Sequence, residues 1–407
     1  MTANVNVNAR PKIVFLGLLT KIPVAGAIWG TMHYMLGFRR LGFDVYYVEA
    51  HARTPSMFVN GDTECATRWA VDFLSGVMQR FGFEDKWAFH ALHDDNRCYG
   101  MRFPQLRDLY RSSEVIINFH GGTRPRKGHK EAKRLVLLET DPVRFEVELH
   151  KQRKQAINFL APHANVFTWG LNFGNADCGV PLPDEPEFLP SPPVVVIDEW
   201  HGLAPAGAAF TTIGNWRQQW RDVKFKGEKY TWSKHVEFLK FIDLPRRTPQ
   251  TFELAIARYT DDDLELLHSN GWGVRSADGL STDLDAYRSY IVGSRGEFTV
   301  AKDQNIRLRS GWFSERSAQY LAAGRPVITQ DTGFGSALPC GEGLFAFSSM
   351  DDILAAIEAI NSDYERHSRD ATEIAREYLN YDVVLTRMLD TLGVPATGHV
   401  HEERAIA

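Results

Sequence analysis

The chain has 407 residues, of which 44% are hydrophobic and 24% charged, and this balance is typical of soluble globular proteins. The length exceeds that of one ordinary core and predicts about two domains. The formal net charge of −5 argues against general binding of nucleic acids or anionic membranes, because both usually require a basic surface. The basic run RPRKGHKEAK at 124–133 is interpreted as a solvated loop or as a lid that binds phosphate.

The cysteines and the apolar N-terminal stretch bear on the cellular compartment. The four cysteines are scattered without the spacing of a metal site, which indicates structural thiols in a reducing compartment. The apolar stretch at 13–36 is interrupted by Lys21 and Pro23, so it lacks the ~20 continuous apolar residues of a transmembrane helix. It also lacks a signal-peptide cleavage site. We therefore expect a cytoplasmic protein without a membrane span.

Strand and helix patterns alternate in the first half of the chain. Five apolar runs have the length of buried strands, and they lie at 13–17, 44–49, 115–119, 135–139 and 166–169. A helix is predicted at 27–41, others between the first strands, and one after Pro142. Nearly continuous apolar strands that alternate with helices indicate a parallel sheet covered on both faces.

A proline-rich stretch divides the chain. Six prolines lie in VPLPDEPEFLPSPP, which begins at Val180 and predicts an extended linker or a surface crossing. The predicted units are an N-terminal domain at 1–180, a linker at 181–200, a C-terminal domain at 201–380 and a closing helix with a polar tail at 381–407.

The second half repeats the alternation. Strands are predicted at 209–213, 252–257, 273–276, 298–300, 327–330 and 344–347. Helices are predicted at 232–241, 264–269, 283–290 and 315–323, and the chain is predicted to be helical from 348 almost to Leu392. Two parallel α/β units make a two-lobed molecule with a cleft, and ligands of such sheets bind outside the carboxyl ends of the strands.

Candidate residues of the first half follow strand ends. The loop at 18–26 is not a dinucleotide fingerprint, and Gly26 at the mouth of a helix either binds an anion or belongs to an ordinary turn. His120 precedes two glycines, where it either contacts a ligand in the cleft or makes a structural hydrogen bond. Asp141 is predicted to cap a helix with Pro142 at its first position. Glu139 is the better candidate for a polar contact with substrate.

Candidate residues of the second half would supply fixed donors and positive charge to a diphosphate. Singly, each cation among them is more typical of a solvated surface. The candidates that follow strands are Gly214, Asn215, Arg217, Lys226, Lys302 and Arg309.

The stretch SGWFSERSAQYLAAGRPVI at 310–328 carries the most specific signal. Its continuation QYLAAGRPVITQDTG resembles the segment E-A-(M/L)-A-x-G-x-P-V-(I/V)-x-(S/T) of retaining family-four-type GT-B glycosyltransferases. In those enzymes a loop precedes the helix, the helix N-terminus faces the donor diphosphate, and a glutamate binds the ribose. The resemblance assigns the donor site to Ser310, Gly311, Ser314, Glu315 and Gln319.

This chain departs from the family at its paired glutamates. Gln319 and Gly311 occupy the two positions, so a retaining mechanism is not carried over. Elsewhere, His120 is similar to a sugar-contacting histidine of the family, and Arg217 with Lys226 resembles its phosphate-binding pair. The closing helices resemble the segment that crosses back to the N-terminal lobe.

The resemblance implies a GT-B fold, with two Rossmann-like domains facing a cleft. It implies an enzyme that transfers a hexosyl group from a nucleotide-diphosphate sugar, UDP-, GDP- or dTDP-linked, to an unidentified acceptor. Neither a cofactor nor a metal is expected, and the acidic run at 261–263 is interpreted as a helix cap.

Several features of such an enzyme stay open. If the reaction inverts the sugar, His120 or Glu139 is the candidate general base. The loops at 54–64 and 97–104 are expected to select the acceptor. The alternatives are a nucleotide-sugar epimerase of GT-B fold and an inactive nucleotide-binding interaction protein.

Overall fold

The computed structural model describes residues 10–50, 66–218 and 221–396, so the predicted acceptor loop at 54–64 lies outside it. Eight strands within these residues form an N-terminal sheet: β1 (Lys12–Leu16), β2 (Asp44–Glu49), β3 (Trp87–His90), β4 (Cys98–Tyr99), β5 (Ser113–Phe119), β6 (Leu135–Glu139), β7 (Asn165–Thr168) and β8 (Phe188–Pro190). Their order is β4-β3-β2-β1-β5-β6-β7-β8. All pair in parallel except β4, which is antiparallel to β3.

Helices cover both faces of this sheet. They are α1 (Ala25–Arg40), α2 (Ala66–Arg80), α3 (Phe103–Ser112), α4 (Arg144–His150) and α5 (Lys154–Leu160), with a 3₁₀ turn at Gly128–Glu131. Because side chains alternate along a strand, Phe15 of β1 packs beneath α1, whereas Leu16 packs beneath α3. The apolar runs seen in the sequence are therefore strands buried on both sides.

The C-terminal lobe has a second parallel sheet and an antiparallel hairpin. The strands are β9 (Ala209–Asn215), β10 (Val223–Phe225), β11 (Glu228–Tyr230), β12 (Thr251–Ala257), β13 (Gly273–Ser276), β14 (Gly296–Thr299), β15 (Val327–Gln330) and β16 (Leu344–Phe347). The sheet order is β13-β12-β9-β14-β15-β16, and β10 pairs with β11.

The helices of the C-terminal half are α6 (His235–Phe238), α7 (Leu244–Arg247), α8 (Asp261–Ser269), α9 (Asp278–Thr282), α10 (Leu284–Val292), α11 (Asp303–Arg307), α12 (Glu315–Ala322), α13 (Met350–Ser362), α14 (Tyr364–Ile374) and α15 (Tyr381–Leu392). Short 3₁₀ turns lie at Ile197–Glu199, Leu239–Phe241 and Phe334–Ser336, and a turn of π-helix at Ala375–Leu379 joins α14 to α15.

The last helix belongs to the core of the first lobe. Leu385 and Met388 of α15 are buried in the same cluster as Phe15 and Phe38. A β-carbon placed on Gly37 of α1 would lie 2.6 Å from a Leu385 methyl carbon, so the glycine permits the close crossing of the two helices. The predicted fold class, two parallel sheets with C-terminal helices that cross back, is therefore confirmed.

Some local predictions need correction. The predicted helix at 232–241 is only the single turn of α6 followed by 3₁₀ structure, and Trp232 precedes it outside any helix or strand. Within the predicted linker, Phe188–Pro190 pairs in parallel with β7 as an edge strand. Among the described residues, no helix is both long and apolar enough to cross a membrane.

Candidate active site

The loop before α12 joins the two lobes. Gly311 has φ of +78°, and a β-carbon there would lie 2.1 Å from the backbone nitrogen of Asn172. The Asn172 N–H donates to the Ser310 carbonyl at 3.3 Å, and its side chain donates to the Arg309 carbonyl at 2.9 Å. Gly311 therefore allows the loop to lie directly against the N-terminal lobe, because any side chain would push the backbones apart.

Trp312 lies between the lobes, and two lysine ammonium groups lie near its ring. Its indole N–H donates to the Thr140 carbonyl at 3.1 Å. The ammonium nitrogens of Lys234 and Lys302 each lie 5.4 Å from the centroid of the Trp312 ring. Lys302 also lies 3.3 Å from the centroid of Trp232. The two lysines thus face aromatic surface, which attracts cations.

Asp141 is an interlobe ion-pair partner and not the predicted helix cap. Its carboxylate lies 2.8 Å from the Lys302 ammonium and 2.9 Å from Arg221. Helix α4 begins only at Arg144, after Val143, because Val143 turns the chain with φ of +97°. The carboxylate of the buried Glu146 accepts the Val143 N–H at 2.6 Å, and this contact replaces the expected aspartate cap.

Lys234 has no such counter-ion. Among the residues that the structure describes, no carboxylate lies within ion-pair distance of its ammonium group. Burial holds the pKa of Lys234 well below its ordinary value, and the positive charge of Arg316 lowers it further. A desolvated ammonium without an anion is costly, so this position favours the arrival of a negatively charged ligand.

Arg316 fixes the start of α12. Its guanidinium donates to Glu297 at 2.6 Å, to the Ile213 carbonyl at 2.5 Å and to the Thr299 hydroxyl at 3.1 Å. The Ser314 hydroxyl caps the helix by accepting the Arg316 N–H at 3.2 Å. These contacts hold the helix N-terminus at the carboxyl ends of β9 and β14, where its N–H groups favour an anion.

Glu315 is a half-buried carboxyl in the first turn of α12. A β-carbon on Gly30 of α1 would lie 3.7 Å from its side chain, so Glu315 extends toward the N-terminal lobe. Burial raises the pKa of Glu315 above its ordinary value. The structure therefore brings Glu315, Lys302 and Lys234 to one interlobe region.

Gln319 and Gly26 meet at Tyr287 in the interlobe core. The fully buried Gln319 accepts a hydrogen bond from the Tyr287 hydroxyl at 2.9 Å. A β-carbon on Gly26 would lie 3.3 Å from that hydroxyl. The amide nitrogen of Gln319 has no partner among the described residues. The two predicted residues are thus brought together, beside one unsatisfied donor.

The predicted catalytic residues His120 and Glu139 have different surroundings. His120 has φ of +58°, an uncommon conformation for a side-chain-bearing residue, and its Nδ1 lies 2.6 Å from the Thr140 hydroxyl. Burial lowers the pKa of His120 to about 4, so its ring is neutral at pH 7. Glu139 is buried, accepts the Thr168 hydroxyl at 2.7 Å and contacts Glu146, and burial raises its pKa well above the ordinary value.

The remaining predicted residues have varied positions. Gly214 and Asn215 are exposed at the end of β9, and the buried Ser310 hydroxyl donates to Asn305 at 3.0 Å. Arg217 makes a bidentate pair with Asp263, at 2.6 and 2.7 Å.

Arg309 and Lys226 lie outside the lysine cluster. Arg309 pairs with Asp177 and with Asp331, at 2.7 and 2.9 Å. Lys226 lies in the turn of the β10–β11 hairpin near Lys151, just beyond the C-terminal end of α4. The structure therefore separates Lys226 from Lys302.

The acidic run at 261–263 is a helix cap, as predicted. The Thr260 hydroxyl accepts the Asp263 N–H at 3.2 Å, and the Asp263 carboxylate accepts the Thr260 N–H at 3.0 Å. In the described part of the chain, no group of three or more His, Cys, Asp or Glu side chains is arranged to hold a metal ion.

Sequence reasoning did not find Lys234, Trp232 or Trp312 as members of the site. Lys234 lies four residues beyond Tyr230, the last residue of the hairpin, and immediately before α6, so no strand end marks it. Trp312 stands inside the stretch that carried the resemblance, so its position next to Gly311 was the available signal.

Two parallel sheets facing an interlobe site, with a C-terminal helix that returns to the first lobe, define the GT-B architecture. The fold is similar to that of AviGT4, a glycosyltransferase involved in avilamycin A biosynthesis. The similarity covers 94% of this chain and 97% of AviGT4, with a TM-score of 0.55 and 10% sequence identity. The fold is also similar to that of HepE from Anabaena, whose structure was solved with UDP and glucose. This similarity covers 94% of this chain and 99% of HepE, with a TM-score of 0.52 and 13% sequence identity. The pneumococcal O-GlcNAc transferase GtfA, solved with UDP and GlcNAc, also covers 94% and 99%, with TM-score 0.52 and 10% identity.

These likenesses establish the fold that the sequence resemblance implied. A scan against protein-family models and a search of curated proteins return no match to this sequence.

Proposed function

We propose that the protein is a glycosyltransferase that uses a nucleotide-diphosphate sugar, with UDP as the first nucleotide to test. The observation that carries the proposal is Lys234, a half-buried lysine beside the N-terminus of α12 that has no carboxylate within ion-pair distance among the described residues. The choice of UDP is supported by HepE and GtfA, whose structures hold UDP with a sugar. The acceptor is a second, separate ligand of the cleft.

The chemistry of the leaving group explains the charge of this site. When the bond between the sugar and the diphosphate breaks, negative charge accumulates on the diphosphate. Lys234, Lys302 and the N–H groups at the start of α12 would stabilise that charge in the transition state more than in the ground state. These protein groups can supply the neutralisation, so we propose that transfer is metal-independent.

His120 is proposed to contact the transferred sugar. Its Nδ1 is held by Thr140, and the neutral ring leaves the other nitrogen to hydrogen-bond a sugar hydroxyl. A pKa of about 4 makes it a weak base at neutral pH, so hydrogen bonding to the sugar is the role that its geometry favours. Glu315, whose pKa is raised, lies in the first turn of α12 beside the proposed diphosphate position.

The test measures UDP binding by titration calorimetry in single variants. Lys234→Met should weaken UDP affinity by at least about tenfold, because it removes hydrogen bonds between charged groups. Lys226→Met provides the matched control, since it removes the same group from the hairpin turn and should change the affinity less than about twofold. Unchanged affinity in Lys234→Met, or an equal loss in Lys226→Met, would contradict the assignment.

Product analysis separates the proposed transferase from the alternatives. The native protein is incubated with UDP-sugars and candidate acceptors, and both free UDP and sugar configuration are followed by NMR. A transferase releases UDP in an acceptor-dependent manner. Conversion of the sugar without net UDP release would indicate an epimerase, and tight binding without consumption of any sugar would indicate an inactive nucleotide-binding protein.

A further inference from the structure

The outer side of α3 carries a concentration of positive charge that the donor site does not use. Between Arg97 and Arg134 the sequence has ten Lys or Arg residues and three Asp or Glu residues. Helix α3 packs against the 3₁₀ turn Gly128–Glu131, where the rings of Tyr110 and His129 meet edge to face at 5.0 Å. The two basic segments therefore form one surface.

The three acidic residues of this segment are already paired. Asp108 and Glu131 both lie next to Arg111, with N–O distances of 3.4 and 2.9 Å. Glu114 binds the last two basic residues of the segment. Arg97 lies 3.4 Å from Asp95. Local acidic side chains therefore neutralise only part of the basic segment.

Six exposed cations remain without a carboxylate partner in the described part of the chain. They are Arg102, Arg107, Arg124, Arg126, Lys127 and Lys130. Phe103 lies beside Arg102 and is 48% exposed, more than any other described aromatic side chain. We call these seven residues the α3 face.

We propose that the α3 face docks the N-terminal lobe on an anionic lipid bilayer. Cations near such a surface are attracted to lipid phosphates, and aromatic rings favour the level of the headgroups. The outer side of a helix is convex, so it cannot enclose a small free anion, whereas an extended anionic surface meets several of its cations at once. Charge complementarity and the exposed Phe103 ring together favour the bilayer.

The net charge of −5 predicted no general binding to anionic membranes, but it is an average over the whole chain and does not describe the local charge of the α3 face. Salt screens charges beyond about 8–10 Å, so the bilayer responds to the nearest side chains. Arg124 follows Gly121 by three residues, so the chain leads from the His120 loop directly into the α3 face. Docking through it would hold the acceptor side of the cleft near the lipid surface.

The test is flotation of the full chain with lipid vesicles. The native protein should float with vesicles that contain about 30% phosphatidylglycerol and not with phosphatidylcholine alone, and about 0.5 M salt should release it. The combined substitutions R102Q, R107Q, R126Q and K127Q should lower the partition coefficient at least about 100-fold. Phe103→Ser alone should also lower the partition coefficient, but it should leave the dependence of that coefficient on salt unchanged.

A charge-matched control separates local docking from a net-charge effect. Lys154, Lys224, Arg369 and Arg387 are exposed cations outside the α3 face, and their combined change to Gln should leave flotation nearly native. Equal loss in the two quadruple variants, or no flotation of the native chain, would overturn the proposal. So would binding of a single-stranded oligonucleotide through the α3 face without vesicle binding. UDP titration of the same samples checks that each variant is folded. It also distinguishes a loss of vesicle binding from a loss of the donor site.

Discussion

The buried carboxyl pair of Glu139 and Glu146 predicts a specific dependence of stability on pH. Glu146 accepts the Val143 N–H at 2.6 Å, and Glu139 accepts the Thr168 hydroxyl at 2.7 Å. Burial raises the pKa of Glu146 from 4.5 to about 7, and burial with the charge of Glu146 raises that of Glu139 well above its ordinary value. The side chains of Glu139 and Glu146 are also hydrogen-bonded to each other, and this contact raises the pKa of Glu139 and lowers that of Glu146.

The direction of the effect follows from the raised values. The folded state holds the Glu146 proton more tightly than the unfolded state, so this carboxyl contributes most stability below pH 4.5. That contribution falls as the pH rises toward 7. A rise of the pKa from 4.5 to about 7 corresponds to about 3 kcal/mol of lost stability between pH 4.5 and 8.

The perturbation is Glu146→Gln, which keeps an oxygen for the Val143 N–H and removes the ionisation. Thermal unfolding is followed in small steps from pH 5 to pH 8. The native protein should lose several degrees of Tm over this range, and the variant should lose about 3–6 °C less. Glu148→Gln on the same helix is the control, because Glu148 is partly exposed and should leave the native pH profile unchanged. If Glu146→Gln keeps the full native pH dependence, the pair does not titrate as reasoned.

Two further changes probe the junction of the lobes. Gly311→Ala should lower the free energy of unfolding, measured by urea titration, by about 2–4 kcal/mol, because its methyl group would meet the Asn172 backbone at 2.1 Å. Gly174→Ala is the control, because Gly174 has a similar φ but nothing within 4 Å, and it should lower the free energy of unfolding by only about 1 kcal/mol. Equal losses in the two variants would contradict the close approach. Asp141→Asn frees Lys302 for the diphosphate, so it should lower the Tm of the free protein and enlarge the Tm increase caused by UDP. A smaller UDP-induced increase than in the native chain would show that Asp141 does not compete with the ligand.

Strand positions were predictable because both sheets are buried on two faces. The runs at 135–139 and 327–330 have the same bounds in the sequence pattern and in the structure. The region between β2 and β5 was harder, because α3 is amphipathic and interrupted by charges, and β4 has only two residues. Helices were predicted between these strands, but their bounds were not.

Individual side-chain partners of the site were less predictable than its place at the strand ends. The order of strands predicts that His120 and Lys302 follow strand ends. It does not predict that Asp141 pairs with Lys302 across 161 positions, or that Arg217 pairs with Asp263 across 46. The first pair depends on the relative placement of the two lobes and the second on the placement of two segments within one lobe, and residue spacing encodes neither.

The return of α15 to the first lobe has a consequence for biosynthesis. Because Leu385 and Met388 complete the core around Phe15 and Phe38, the N-terminal lobe lacks part of its interior until α15 has been synthesised. During translation the first lobe therefore still exposes the apolar groove for α15 while the second lobe is being synthesised. A chain cut before Tyr381 would leave that groove open and would damage the lobe farthest from the cut in sequence.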